Sequence, residues 1–187
     1  MEFRTTWSEG MCYTGVDLGH RKKAGSDLTV AITVAVLLDG SRLIIDIRSG
    51  NWSAPETLRE LQCIHRQFGS IIAVENNGAQ NYLIEFAHEL DTIPVRPHST
   101  TGVNKHDKQH GVEAMGIEFS QARWVLPCAG NLAPGEEMEK LISGCLTYDP
   151  TAHTSDHLMA LWIAREAIRL SPSAGGLDPV DVDAFTR

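Results

Sequence analysis

An Asp-Gly pair at 39–40 stands between two β-rich runs, LTVAITVAVLL and RLIIDIRS, and this arrangement constrains the fold more than anything else in the chain. Such a pair joins neighbouring antiparallel strands, because glycine accepts the positive φ of a tight reversal without steric cost. The run before it, MCYTGVDLG at 11–19, is apolar except for Asp17, and the turn-forming GHRKKAGSD leads from it into the hairpin. Three consecutive antiparallel strands are therefore expected, at about 12–18, 28–38 and 42–49.

From residue 55 the period changes. Leu58, Leu61, Ile64 and Phe68 fall on one helical face, with Pro55 in the first turn and Gly69 past the end, which predicts a helix over 55–68. IIAVE at 71–75 does not alternate, as befits a central strand covered on both faces. After the turn Asn76-Asn77-Gly78 a second amphipathic helix is expected over 79–90, then a short strand over 93–96. Residues 105–120 read as a helix followed by an extended piece at 123–126. A helix over 134–146 carries Glu136, Glu137 and Glu139 at its positive end. The last helix, over 155–170, presents Leu158, Leu161 and Trp162 on one face, with Thr154 or Ser155 as N-cap. This order predicts an α/β fold, a mixed sheet with helices on its faces, in which strands one, four and five run parallel through right-handed crossovers. One domain over 12–170 accounts for it, with 1–11 as a tail or linker and 171–187 as a Pro/Gly/Asp-rich flexible tail.

Three acids sit where apolar residues belong: Asp17 in the first strand, Glu75 at the end of IIAVE, and Asp156 in HTSDHLMALWIA. Burying a carboxylate is costly unless a cation or hydrogen bonds compensate it. Taken singly, Asp17 is a turn acid, Glu75 a partner for following amides, and Asp156 a first-turn residue favoured by the helix dipole. Taken together they repel one another unless a hard divalent ion converts them into a ligand set. Ligands of such sheets gather beyond the carboxyl ends of parallel strands, where Glu75 lies. Two ions about 4 Å apart would activate a water and stabilise the leaving oxygen of a phosphodiester. His153, three residues before Asp156, is a candidate metal ligand or proton shuttle, and equally a cap or solvent-facing side chain. Asp27 reads as turn chemistry.

Composition narrows the setting. With 42% hydrophobic and 21% charged residues the 187-residue chain is of ordinary globular type. Its longest apolar run, 28–38, has 11 residues against roughly 20 for a bilayer span. No signal segment opens it, so a cytoplasmic location and no membrane partner are expected. The four cysteines, Cys12, Cys63, Cys128 and Cys145, form no CxxC pair and are expected as buried thiols. A net charge of −8 argues against a general nucleic-acid-coating protein. Basic residues are local: Arg21, Lys22 and Lys23 beside Asp17, and Lys105 and Lys108 after the fifth strand, both groups candidate phosphate contacts as well as candidate solvated surface.

The strand acid in YTGVDLG, the hairpin KAGSDLTVAITVAVLLDGSRLIIDIRSG, the strand-end acid in IIAVENN and the helix acid in HTSDHLMALWIA together resemble the C-terminal nuclease domain of large terminase subunits, the DNA-packaging motors of tailed bacteriophages. The resemblance implies an RNase H-like fold and an endonuclease cutting double-stranded viral DNA. It implies Asp17, Glu75 and Asp156 as catalytic, metal-binding acids, His153 as a further ligand, and two Mg²⁺ or Mn²⁺ ions as cofactors. Implied partners are a terminase ATPase domain, a small terminase subunit and a portal protein, in the host cytoplasm. No GxxxxGK[ST] phosphate loop occurs, so motor activity is not expected of this chain. A junction resolvase would use the same acids on another DNA shape. An actin-like ATPase would need a second domain and a second phosphate turn. A docking module would have no use for the acids.

Overall fold

The computed structural model describes residues 10–19, 28–76, 93–127 and 135–171. The predicted helix over 79–90, Arg21, Lys22, Lys23, Asp27, Cys128 and, of the predicted tails, residues 1–9 and 172–187 lie outside the described residues, while Met11, expected in the first tail, opens the first strand.

The expected hairpin forms. Strands β1 (Met11–Asp17), β2 (Thr29–Val36) and β3 (Arg42–Gly50) pair antiparallel in succession. Gly40 takes φ 81° and its N–H donates to the Leu37 carbonyl at 2.9 Å, closing the predicted turn. Helix α1 (Ala54–Phe68) follows, started by Ser53, whose backbone N–H donates to the Glu56 carboxylate at 2.6 Å. It leads to β4 (Ile71–Glu75), which matches the predicted span and lies parallel to β1.

Strand β5 (Val95–His98) starts two residues later than the sequence suggests. Its register explains the difference: β4 pairs with Val95 to His98, and Pro97, which donates no hydrogen bond, is tolerated because β5 is an edge strand among those described. The segment expected as one helix over 105–120 is instead two short ones, α2 (Gly102–Lys105) and α3 (Ala114–Ser120). Between them the Asp107 carboxylate accepts from the Gln109 and His110 backbone N–H groups, a turn that ends the helical run. β6 (Trp124–Val125) then pairs parallel with β3, giving, among the described residues, a six-stranded sheet of order β5-β4-β1-β2-β3-β6.

The last two helices are α4 (Glu136–Leu146) and α5 (Asp156–Arg169). Alternation along the strands divides the core in two. Val16, Ala31, Ile72 and Val74 face Leu58, Leu61 and Ile64 of α1, whereas Tyr13, Ile32, Val34 and Ala73 face Leu161, Trp162 and Ala164 of α5. Helix α5 crosses β1 at Gly15, where a Cβ would meet the Ala160 carbonyl at 2.1 Å and the Ala164 nitrogen at 2.2 Å. Only glycine permits that approach. Of the three described cysteines, Cys12 is buried and Cys145 half-buried, but Cys63 is exposed on the outer face of α1, against expectation. Among the described residues no helix is long and apolar enough to cross a membrane.

Candidate active site

The sheet brings two of the three acids side by side. β1 and β4 are parallel and in register up to Val16 opposite Val74, so Asp17 and Glu75 occupy the next positions, at the carboxyl ends of neighbouring strands. Both follow, two residues on, side chains or a glycine that face α5, so alternation puts them on that face as well. Glu75 is 6% exposed. Asp156 is the first residue of α5. Its Oδ2 accepts a hydrogen bond from the Leu28 N–H at 3.1 Å, and Leu28 lies two residues before Val30, the partner of Asp17 on β2. The helix acid is thereby tied to the end of the sheet where the strand acids stand.

The remaining predicted positions are less convergent. Ser155, one of the two predicted caps, caps α5 by accepting from the Leu158 N–H at 3.3 Å, so His153 precedes the helix. It is exposed and lines, with Asp156, Lys140 and His157, a cleft of about 660 Å³ between α4 and α5. Lys105 ends α2 and is half-buried, while Lys108 is exposed in the following turn. That turn is fastened to α5: Trp162 Nε1 donates to the His110 carbonyl at 2.8 Å and Arg165 donates to the same oxygen at 2.7 Å.

The scaffold is RNase H-like. Three antiparallel strands lead into parallel β4 and β5 on the far side of β1, with helices on both faces and acids at the carboxyl ends. No protein-family model matches the chain, nor does any curated protein. Among solved structures it is similar to the yeast mitochondrial Holliday junction resolvase Ydc2, at 11% identity and TM-score 0.46, over 81% of this chain and 76% of that one. The fowlpox virus resolvase in complex with Holliday junction DNA is similar at 11% identity and TM-score 0.47, over 84% and 96%. Thermus thermophilus RuvC with a Holliday junction substrate is similar at 19% identity and TM-score 0.42, over 82% and 90%.

Hard carboxylate oxygens suit a divalent cation such as Mg²⁺ or Mn²⁺. The donor chemistry therefore fits, and so does the placement on adjacent elements. The side chains are not gathered into a cage: among the described residues no three His, Cys, Asp or Glu groups are close enough to hold one ion.

Several other polar residues were not assigned to the site or to a buried network from sequence, and one group of them, around Glu118, lies at the opposite end of the sheet from the acids. His98, opposite Glu75 on β5, is 9% exposed and stands edge-on to Trp162 with ring centroids 5.0 Å apart. Burial lowers its pKa, opposed by the charges of Glu166 and Glu75. Glu118 accepts from Arg165 at 2.9 and 3.0 Å and from Trp124 Nε1 at 3.0 Å, and also pairs with Arg42. The only signal for this network in the sequence is the Arg165-Glu166 pair inside the apolar ALWIAREAI, since a charged pair there must find partners. Glu137 is held by three neighbours. Burial opposes its ionisation, but hydrogen bonds from Lys140, Ser49 and His157, with the charge of His157, outweigh that and bring its pKa to about 2.

Proposed function

We propose that this chain is a divalent-metal-dependent nuclease that hydrolyses phosphodiester bonds in DNA. The reading is carried by one observation: Asp17 and Glu75 stand in adjacent register at the carboxyl ends of β1 and β4, with Asp156 bonded to the neighbouring start of β2. Asp17, Glu75 and Asp156 would hold the metal, and His153, on the rim of the same cleft as Asp156, would assist. The ions would supply an activated water and stabilisation of the leaving oxygen. The rigid strand ends present two of the carboxylates with little freedom to lose on binding, while the cap of α5 orients the third. Lys105 and Lys108, with Arg21, Lys22 and Lys23, are the proposed backbone contacts, which add affinity without sequence readout.

The DNA shape is the finer question. The similar solved structures are named for Holliday junctions, whereas the sequence motifs resemble a nuclease acting on concatemeric duplex. A four-way junction is therefore placed first, and terminase partners rest on the sequence resemblance alone. The test incubates the chain with a synthetic four-way junction, linear duplex and plasmid in EDTA, Mg²⁺ or Mn²⁺. Cleavage is expected only with a divalent ion, and Asp17→Asn, Glu75→Gln and Asp156→Asn are each expected to abolish it while circular dichroism stays unchanged. Cleavage retained by all three variants would remove the acids from the mechanism. Equal rates on junction and duplex would remove the preference for branched DNA.

A further inference from the structure

Asp156 begins its helix, and a helix that begins at a functional residue needs its first turn fixed from outside. Helix α4 does this at two points. The carboxylate of Glu137 accepts a hydrogen bond from His157 Nε2 at 2.8 Å, and His157, the residue after Asp156, is 6% exposed. Two turns further along α4, Gly144 lies so near the cap of α5 that a Cβ there would meet Ser155 Oγ at 2.2 Å. Glu137 is also bonded by Lys140 Nζ at 2.7 Å and by Ser49 near the end of β3. A single carboxylate thus joins α4, β3 and the first turn of α5, the turn in which Asp156 engages the Leu28 N–H.

We propose that Glu137, acting through His157, is a positioning residue that sets where the Asp156 carboxylate stands at the carboxyl end of the sheet. Neither Glu137 nor His157 needs to touch DNA or an ion for this. The functional consequence rests on the nuclease reading, but the positional one does not, because the Leu28 amide reports on Asp156 without metal or substrate. Reach separates positioning from charge. Glu137→Asp keeps the charge and withdraws it from His157 by one methylene, whereas Glu137→Gln keeps the reach and an acceptor oxygen and removes the charge.

The experiment follows the Leu28 resonance in ¹⁵N–¹H spectra of the full chain, with Asp156→Asn as reference. Glu137→Asp is expected to move Leu28 toward its position in Asp156→Asn and to speed its amide exchange, and Glu137→Gln to leave it near wild type. His157→Asn, too short to reach Glu137, is expected to repeat the effect of Glu137→Asp should that variant fold poorly. An unmoved Leu28 in both folded variants, or a larger shift in Glu137→Gln than in Glu137→Asp, overturns the proposal. Mn²⁺ titration of the same proteins adds the functional arm: Glu137→Asp is expected to weaken binding by about 10–100-fold, the usual cost of losing a group that supports a ligand, with Glu137→Gln close to wild type. Wild-type affinity in Glu137→Asp overturns the functional consequence. Absence of any Asp156-dependent Mn²⁺ binding in the wild type overturns the nuclease reading, and the Leu28 result still decides the positioning.

Discussion

Gly15 shows how much one hydrogen atom in place of a methyl group can decide. The Ala160 carbonyl and Ala164 backbone occupy the space a Cβ would take, and backbone cannot rotate away as a side chain can. Gly15→Ala is therefore expected to lift α5 from β1 and to destabilise the protein by at least about 1–3 kcal/mol, the ordinary cost of overpacking, measured by urea unfolding. Gly144→Ala differs in kind, because the atom in its way is the Ser155 hydroxyl. That hydroxyl can turn aside at the expense of the helix cap, so a smaller loss of about 0.5–2 kcal/mol is expected. Glu137 adds a pH dependence with a definite sign. Its folded pKa, about 2, is below the ordinary 4.5, so its contribution is fully present above pH 4.5 and is lost as pH falls toward about 2. The stability gap between wild type and Glu137→Gln should close across that window, and a gap that stays constant would count against the three bonds that hold the carboxylate.

Helix α5 looks amphipathic in sequence, yet every residue from His157 to Ile168 is buried. The sheet covers one side, and α4 with the segment around His110 covers the rest, so Arg165 and Glu166 have to be neutralised inside the protein. Glu118 on α3 completes that arrangement from 47 residues away. Glu118→Ala leaves Arg165 and Arg42 without this acceptor and is expected to cost about 3–5 kcal/mol, as for other broken buried pairs. A thermal melt of Glu118→Ala matching wild type would show the network to be dispensable. Strand β5 illustrates the opposite limit. Its existence was legible in the apolar residues after 92, but its two-residue shift depends on the hydrogen bonds that β4 offers, which no local pattern records.

Across the molecule, the three acids are carried to one end of the sheet in a chain of net charge −8, so under the proposed nuclease reading local positive charge would have to hold the DNA. Lys105 and Lys108 come after β5, whose carboxyl end lies beside Glu75, and their segment is anchored to α5 through His110. Lys105→Ala combined with Lys108→Ala is expected to weaken DNA binding at low salt, with a shallower salt dependence by roughly two phosphate contacts and no change in metal affinity; unchanged binding at low salt would exclude these lysines from the DNA path. The hairpin, α1, β4 and the last helix were legible in the sequence because periodicity and turn chemistry are local properties, and the three acids stood out as charges in apolar surroundings. The RNase H-like strand order was implied by the motifs read together and follows from the pairing of β1 with both β2 and β4. Sequence could not expose Cys63, or join Glu137 to His157 and Glu118 to Arg165. Those outcomes depend on which distant surfaces meet, and only the tertiary fold brings together groups separated by 20 or 47 residues.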